Sequence, residues 1–400
     1  MEDRPGAREM VRAPRGWREE GELIAVPCTL MRGGTSKAVF LDEAVVPSDP
    51  DGRARFLLAL MGSPDPRQID GLGGADLLTS KVAVIGPPSV PGADLDYTFA
   101  QVSVRDARVD YDINCGNISA AVGVYAVERG LVTAQGEVAT VRIHNRNTRR
   151  VFYAEVPVAA GHARVEGACR VDGVPGSGAE ILLDLRETVG TVTGGLLPTG
   201  SAVDLLEVPG LGHVEVSIVD IAYLCVAVRA SDLGIPEGDL PVTPGDDLLV
   251  AVDRLQRAAA RRLGLPEGTL VPVPILVSVP HDYRTLTEGE PVAAADVDLV
   301  AEVIGGQPLT LHKAFPGGAG VTLAVTARLP GSVATVPEGS GPVRIGHPSG
   351  CTAVDVLLGT GCGGETSVER AAYSRTARRL MDGTAYLKAA ALGPAPEGVT

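Results

Sequence analysis

From Leu23 onward the chain is cut into short apolar runs, each closed by Gly, Pro, Asn or Asp, and this punctuation limits the fold more than any other feature. The stretches SKVAVIG, DYTFAQVSV, EVATVRIHN and RRVFYAEVPVAAGHARVEG all follow it. Runs of this length, rich in Val, Ile, Tyr and Phe, predict strands joined by tight turns. With 50 glycines, 30 prolines and 4% aromatic residues, the chain suits Val, Ile and Leu cores between strands and does not suit a helical bundle. Helical spacing marks the segments 53–61, 117–129, 245–263 and 367–382 against this background. The class expected is therefore α+β. In 245–263, Leu248, Leu249, Val252, Leu255 and Ala259 recur at helical spacing with arginines on the other side, which reads as a scaffold helix.

At 400 residues the chain exceeds the size at which one core stops growing, so two domains are expected. The Gly/Pro-rich stretch 186–204 is the candidate crossover. Residues 1–22, charged and Pro/Gly-bearing, read as a disordered extension. Domains are then expected over 23–190 and 191–369, with 370–400 returning to the first. The second half repeats the manner of the first: strands, a glycine cluster at 315–331 leading into an apolar run, then 344–359. Two such halves would enclose a cleft with donor-rich walls.

A net charge of −14 argues against nucleic acid or an anionic membrane as the partner, and leaves room for a small anionic substrate. The six cysteines, at 28, 115, 169, 225, 351 and 362, form no C-x-x-C pair, and the histidines show no metal spacing. No secretory h-region opens the chain, and prolines 272, 274 and 280 break the apolar stretch 269–280. A cytoplasmic protein with reduced thiols and no bound metal is expected.

Chemistry gathers at a few places. Cys115 stands just before the helical run 117–129, where Asn114 and Asn117 can cap the first turn and Gly130 can end the last. A thiol at the positive end of a helix is placed to react, and Gly116 lets a ligand approach; equally, a free cysteine packs well as a small buried hydrophobe. MRGGTSK (31–37) offers Gly34, Thr35 and Ser36 as donors for a carboxylate, with Arg32 as a charge partner; its spacing is not that of an ATP-binding P-loop. IDGLGGADLLTSK (69–81) brings Gly73, Gly74 and Ser80 up to Lys81, either a base or a solvated strand-edge lysine. GHPSG (346–350) adds His347, Ser349 and Gly350 in a turn.

MRGGTSK, IDGLGG with TSKVAVI, NCGNISAAVG, IHNRNT, VDGVPGSGAEI, TGGLLPTG, RIGHPSG and SRTARRLM occur in this order from about Leu23 to Leu387, and in this the chain resembles the PrpF family. The resemblance implies two diaminopimelate-epimerase-like domains, each a curved sheet around a central helix, with the site in the cleft between them. It implies a cofactor-independent isomerase that shifts a proton along an allylic or keto–enol system in a small unsaturated carboxylic acid such as 2-methylaconitate, in a family where homodimers are common. By motif it makes Ser36, Lys81 and Cys115 catalytic. Lys81 would carry the proton, alone or shared with Cys115, while Ser36, Cys115 and the backbone at Gly34, Thr35, Gly116 and Asn117 polarise carboxylates. The glycine element of the second half would contribute Gly317 and Gly318 to carboxylate binding.

The chain departs from the family pattern at Ile113, at Asp76 and Leu77, at Tyr223 and Leu224, and in HKAFPGGAG (312–320). An added acid and a larger apolar pair around the cleft would disfavour a tricarboxylate, so a substrate with fewer carboxylates is expected. A tautomerase, an epimerase on the same fold and a non-catalytic acid-binding protein are the alternatives. Retention of Ser36, Lys81 and Cys115 together speaks against the last.

Overall fold

The structure, a computed structural model, describes residues 14–111, 115–134, 136–171, 173–306, 308–313, 315–336, 341–361 and 363–392. It opens on a hairpin of β1 (Leu23–Gly33) and β2 (Ser36–Asp42), turned at Gly34 and Thr35. Helix α1 (Pro50–Met61) is started by Asp49, whose carboxylate accepts from the Gly52 N–H at 2.6 Å, and is stopped by Gly62 at φ +76°. β3 (Lys81–Gly86) runs parallel to β2, and β4 (Leu95–Val102) antiparallel to β3. Helix α2 (Gly116–Glu128) leads into β5 (Val138–Asn145), parallel to β4, and the antiparallel β6 (Arg150–Ala159) and β7 (Ile181–Asp184) follow.

The same order then returns. After β8 (Asp204–Val208), β9 (Gly212–Ile221) and β10 (Tyr223–Arg229) form a hairpin, α3 (Asp246–Arg262) follows, and β11 (Val273–Ser278) runs parallel to β10. β12 (Leu299–Gly305) is antiparallel to β11, α4 (Gly317–Arg328) follows, and β13 (Val343–His347) is parallel to β12. β14 (Gly350–Thr360) and β15 (Thr366–Arg375) close the second set. Topologically α4 is therefore the counterpart of α2. β15 also pairs with β7, and β16 (Ala377–Lys388) pairs with β1, which ties the end of the chain to the first set of strands.

Strand alternation explains the layers. Ala38, Phe40, Ala83, Ile85, Tyr97 and Phe99 point to the face that wraps α2, whereas Val39, Leu41, Val82 and Val84 point to the opposite face and meet Phe56, Leu57 and Leu60 of α1. In the second set α4 lies in the same core as α2, and α3 covers the outer face through Val252 and Leu255. Every residue of α2 from Ile118 to Val127 is buried. The sequence pattern suggested one apolar face; enclosure by a curved sheet buries all sides instead.

Two sequence expectations change. The segment 367–382 is strand, not helix: Ala372 to Arg375 pair with β7, and Ala377 onward with β1, so sheet pairing overrides the helix propensity of its Glu, Arg and Ala residues. Conversely, 317–328 is a helix, although its Gly, Val and Thr content reads as a strand approach; it is buried from Ala319 to Ala327. Residues within the expected N-terminal extension are also ordered. Trp17 packs on Phe56 at 5.4 Å and donates to the Val45 carbonyl at 2.8 Å, and Arg18–Glu20 pairs with β1. Among the described residues no helix is long and apolar enough to cross a membrane.

A fully buried acid, Glu302, lies at the outer core of the second set. Glu302 on β12 accepts from the Val242 N–H at 3.0 Å through Oε2, while Oε1 has no partner among the described residues. Burial pushes its carboxyl from the ordinary 4.5 up to about 7. Between these values the folded chain holds a proton that the unfolded chain has lost, so stability falls as pH rises, and the full cost stands above pH 7. Glu302→Gln should raise stability at pH 8 by about 2 kcal/mol and give no gain at pH 4.5. Urea melts at the two pH values check this, and an equal gain at both would show that the charge is not the source.

Candidate active site

Cys115 is the N-cap residue of α2, and its carbonyl accepts from the N–H and Oγ of Ser119 at 2.9 and 3.1 Å. The Cys115 side chain makes no capping hydrogen bond. Asn117, a candidate cap from sequence, lies inside the first turn; its amide donates to Thr35 Oγ1 at 2.9 Å and its Oδ1 accepts from Arg375 Nε at 3.1 Å. Asn114 and Ile113 lie outside the described residues. The β1–β2 turn docks on this helix end because it carries two glycines. A Cβ at Gly33 would stand 2.2 Å from the Asn117 carbonyl oxygen, and one at Gly34, where φ is +48°, 2.1 Å from Asn117 Oδ1. The docking places Ser36 Oγ 3.9 Å from Cys115 Sγ. Negative charge at this point is favoured by the helix dipole and the free N–H groups of the first turn.

Lys81 heads β3, opposite Ala38 on one side and Gln101 on the other. It shares a face with Ala83 and Ile85, so its side chain points toward α2, and it is only 6% exposed. It is thus not a solvated edge lysine. Its Nζ donates to Gln101 Oε1 at 2.6 Å and sits 5.2 Å from the Phe99 ring centroid. Gln101 cannot turn its amide round, because its Nε2 donates to the carbonyls of Leu77 and Ser80 at 3.1 and 2.8 Å. Gln101 belongs to no sequence motif. Its signal is that it continues the inward positions Leu95, Tyr97 and Phe99 of β4, where a polar residue needs a specific partner.

Three phenols surround the thiol. Burial pushes Tyr97, Tyr223 and Tyr373 well up or up from their ordinary value, with the neighbouring Cys115 adding to this, so all three stay protonated at neutral pH. The Tyr373 hydroxyl lies between the first turns of α2 and α4: it would be 2.3 Å from a Cβ at Gly116 and 3.0 Å from one at Gly317. The Tyr223 ring fills the space a Cβ at Gly318 would take, at 2.7 Å. These glycines thus admit aromatic rings to the helix ends. Leu224, the neighbour of Tyr223, turns away into the outer core.

A cavity of about 420 Å³ opens beside this centre. Thr35 and Asn117 form one wall, Phe315, His347 and Ser349 another, and Arg375 joins them. His347 stacks on Phe315 at 5.5 Å, and the turn after it is clasped by Tyr283, whose hydroxyl donates to the Gly350 carbonyl at 2.7 Å. The structure therefore brings together Thr35, Ser36, Cys115, Gly116, Asn117, Gly317, Gly318, His347, Ser349 and Gly350, with Lys81 facing α2 from the sheet. Other expected site residues serve the scaffold. Arg32 lies on the opposite face of the hairpin from Ser36, with Nη1 donating to the carbonyls of Gly34 and Thr376 at 3.1 and 3.0 Å. Gly73 and Gly74 make room for Gln68 and Thr79, and the Ser80 hydroxyl is held by Gln68 Nε2 at 2.7 Å and the Val102 carbonyl at 2.9 Å. Asp76, expected to charge the cleft, is exposed and accepts from the Leu78 N–H at 2.7 Å in a surface turn. Among the described residues no three His, Cys, Asp or Glu side chains gather as metal ligands.

Comparison with known proteins agrees with this geometry. The profile of the PrpF protein family matches residues 23–388. A 3-methylitaconate isomerase from Eubacterium barkeri is 42% identical over 385 residues, which is 93% of this chain and 99% of that protein. The crystal structure of a methylitaconate-delta-isomerase superposes with a TM-score of 0.86 at 40% identity, covering 95% of this chain and all of the other. A hydroxyproline epimerase from Agrobacterium vitis gives a TM-score of 0.52 at 13% identity over 93% of each chain, a likeness of fold alone. The fold is therefore diaminopimelate-epimerase-like, and the chain belongs to the PrpF family.

Proposed function

We propose that the chain is an isomerase that moves a C=C bond by a 1,3-proton shift in a small unsaturated dicarboxylate, with Lys81 as the base. The observation that carries this reading is the environment of Lys81: buried, aimed at α2, and bonded to a neutral amide oxygen where a carboxylate would pin the ammonium form. Lys81 Nζ takes the proton from the carbon next to a carboxylate. The C–H electron pair passes into the conjugated system as a dienolate, and a proton returned by Lys81, or by Cys115, to the far carbon of the three-carbon unit completes the shift. No atom is gained or lost overall, and the shift calls for no oxidant or reductant. Ser36, Cys115 and the first-turn N–H groups of α2 hold the charge that grows on the carboxylate. The described cysteines are all free, in keeping with work in the reducing cytoplasm.

Proton NMR in D₂O with 3-methylitaconate tests the reading, and 2-methylaconitate serves as the tricarboxylate comparison. The expected result is deuterium entering the substrate pool together with a new methyl signal, faster for the diacid. Absence of exchange and isomerisation with both acids overturns it.

A further inference from the structure

We propose that Arg375, assisted by His347, anchors the second carboxylate of the substrate, the one remote from the carbon that loses its proton; this rests on the isomerase reading above. Arg375 is the last residue of β15 and lines the cavity. Its Nε donates to Asn117 Oδ1 at 3.1 Å, its Nη1 donates to the Ser374 carbonyl at 2.8 Å, and its guanidinium stacks over the Tyr373 ring at 4.5 Å. These contacts fix the plane of the guanidinium without neutralising it. Among the described residues no carboxylate pairs with it. The other arginines of the cavity differ. Arg344 is taken by Asp298 at 2.7 Å, and Arg170 is exposed at the rim with no side-chain bond to the described residues. Glu180, the cavity's acid, is exposed and accepts from the Ser374 hydroxyl.

His347 supplies a second donor. Its Nδ1 faces the Ser349 N–H at 3.3 Å, and since an amide N–H can only donate, Nδ1 is the acceptor and the ring proton sits on Nε2. Burial and the nearby Arg375 charge hold its pKa down to about 4, so the ring is neutral at pH 7. No described residue bonds Nε2. A fixed guanidinium and an imidazole N–H on adjoining walls make a fork for a carboxylate. Asn117, bonded to both Arg375 and Thr35, ties this fork to the first turn of α2, two residues from Cys115. A diacid would thus place one carboxylate at the α2 N-terminus and the other at Arg375.

Calorimetric titration with methylsuccinate, an inert saturated diacid, and with its two monomethyl esters reads the anchor without catalysis. Wild type should bind the diacid at least 30-fold more tightly than one of the two esters. In Arg375→Met that preference should fall below threefold through loss of diacid affinity, and Arg375→Lys should restore part of it. Thermal melts of both variants check the fold. The proposal is overturned if wild type binds the diacid and both esters alike, if it binds none of them, or if Arg375→Met weakens diacid and esters equally, as loss of the Asn117 contact alone would do. Diacid preference without turnover of 3-methylitaconate would sink the isomerase reading and leave the anchor; turnover without the preference would do the reverse.

Discussion

Replacement of Lys81 by alanine should lower the rate of isomerisation and of deuterium exchange by roughly a thousandfold, with KM changed less than about threefold, as expected for a general base. The direction follows from geometry. Lys81 is the cation on the inner face of the first sheet that meets Gln101, and its alternation with Ala83 and Ile85 aims it at the helix that begins after Cys115. Alanine keeps β3 but leaves Gln101 Oε1 buried without its donor, a cost of about 1–3 kcal/mol, so activity is to be measured where melts show the variant folded. Lys81→Arg separates charge from basicity: the guanidinium can keep the bond to Gln101 but does not give up its proton, and it should leave the rate as low as alanine does. Exchange that stays within tenfold of wild type in Lys81→Ala would remove this lysine as the base and leave Cys115 to do the work. If Lys81 is the base, Cys115→Ser then separates the mechanisms: exchange without isomerisation means that Cys115 returns the proton, and retention of both means that Lys81 moves it alone.

How much of this was legible in the sequence depended on the range of the forces involved. The start of α2 could be read because a cysteine followed by glycine, an apolar run and Gly130 is a local pattern, and the glycine pair at 33 and 34 marked a tight turn. The class of the fold followed from the rhythm of strands and breakers. What failed to show depends on partners far away in the chain. Gly317, Gly318 and Gly320, with Val321, Thr322, Val325 and Thr326, resemble a loop entering a strand; only enclosure by a curved sheet, with Thr322 Oγ1 donating to the carbonyl of Ile221, makes them a helix. Gly73, Gly74 and Ser80 looked like ligand donors because small polar residues have the same composition whether they hold a substrate or, as here, a folded loop around Gln68. Arg375 and Tyr373 reach the site because β15 pairs with β7 and β14 at one particular register, which no local pattern announces. Gln101 is the intermediate case, since the inward alternation of β4 exposes it as a buried polar residue but does not name its partner.

Gly33→Ala should cost about 2 kcal/mol of stability and lower kcat by up to about a hundredfold, although the residue bears no side chain and touches no reacting group. Its backbone tolerates alanine, so the effect is steric. The added Cβ would lie 2.2 Å from the carbonyl oxygen of Asn117 and 3.0 Å from the Ala121 Cβ, and the nearest obstacle is helix backbone that cannot rotate aside. Relief requires β1 and the first turn of α2 to part by about 1 Å. That movement separates Ser36 from Cys115 and tilts the N–H groups that receive the carboxylate, and a displacement of this size is enough to cost two orders of magnitude in rate. Gly34→Ala provides the contrast. The atoms nearest its Cβ belong to the Asn117 side chain, which can swing away at the expense of its bonds to Thr35 and Arg375. The strain of φ +48° adds about 1 kcal/mol. Its main kinetic effect should fall on KM, through the anchor at Arg375, where Gly33→Ala acts on kcat. Steady-state kinetics beside urea melts of the two variants decide the matter. If Gly33→Ala loses stability but keeps kcat, the glycine turn is packing alone; if kcat falls while KM holds, this turn sets the distance across which the proton-transfer groups and the helix end work.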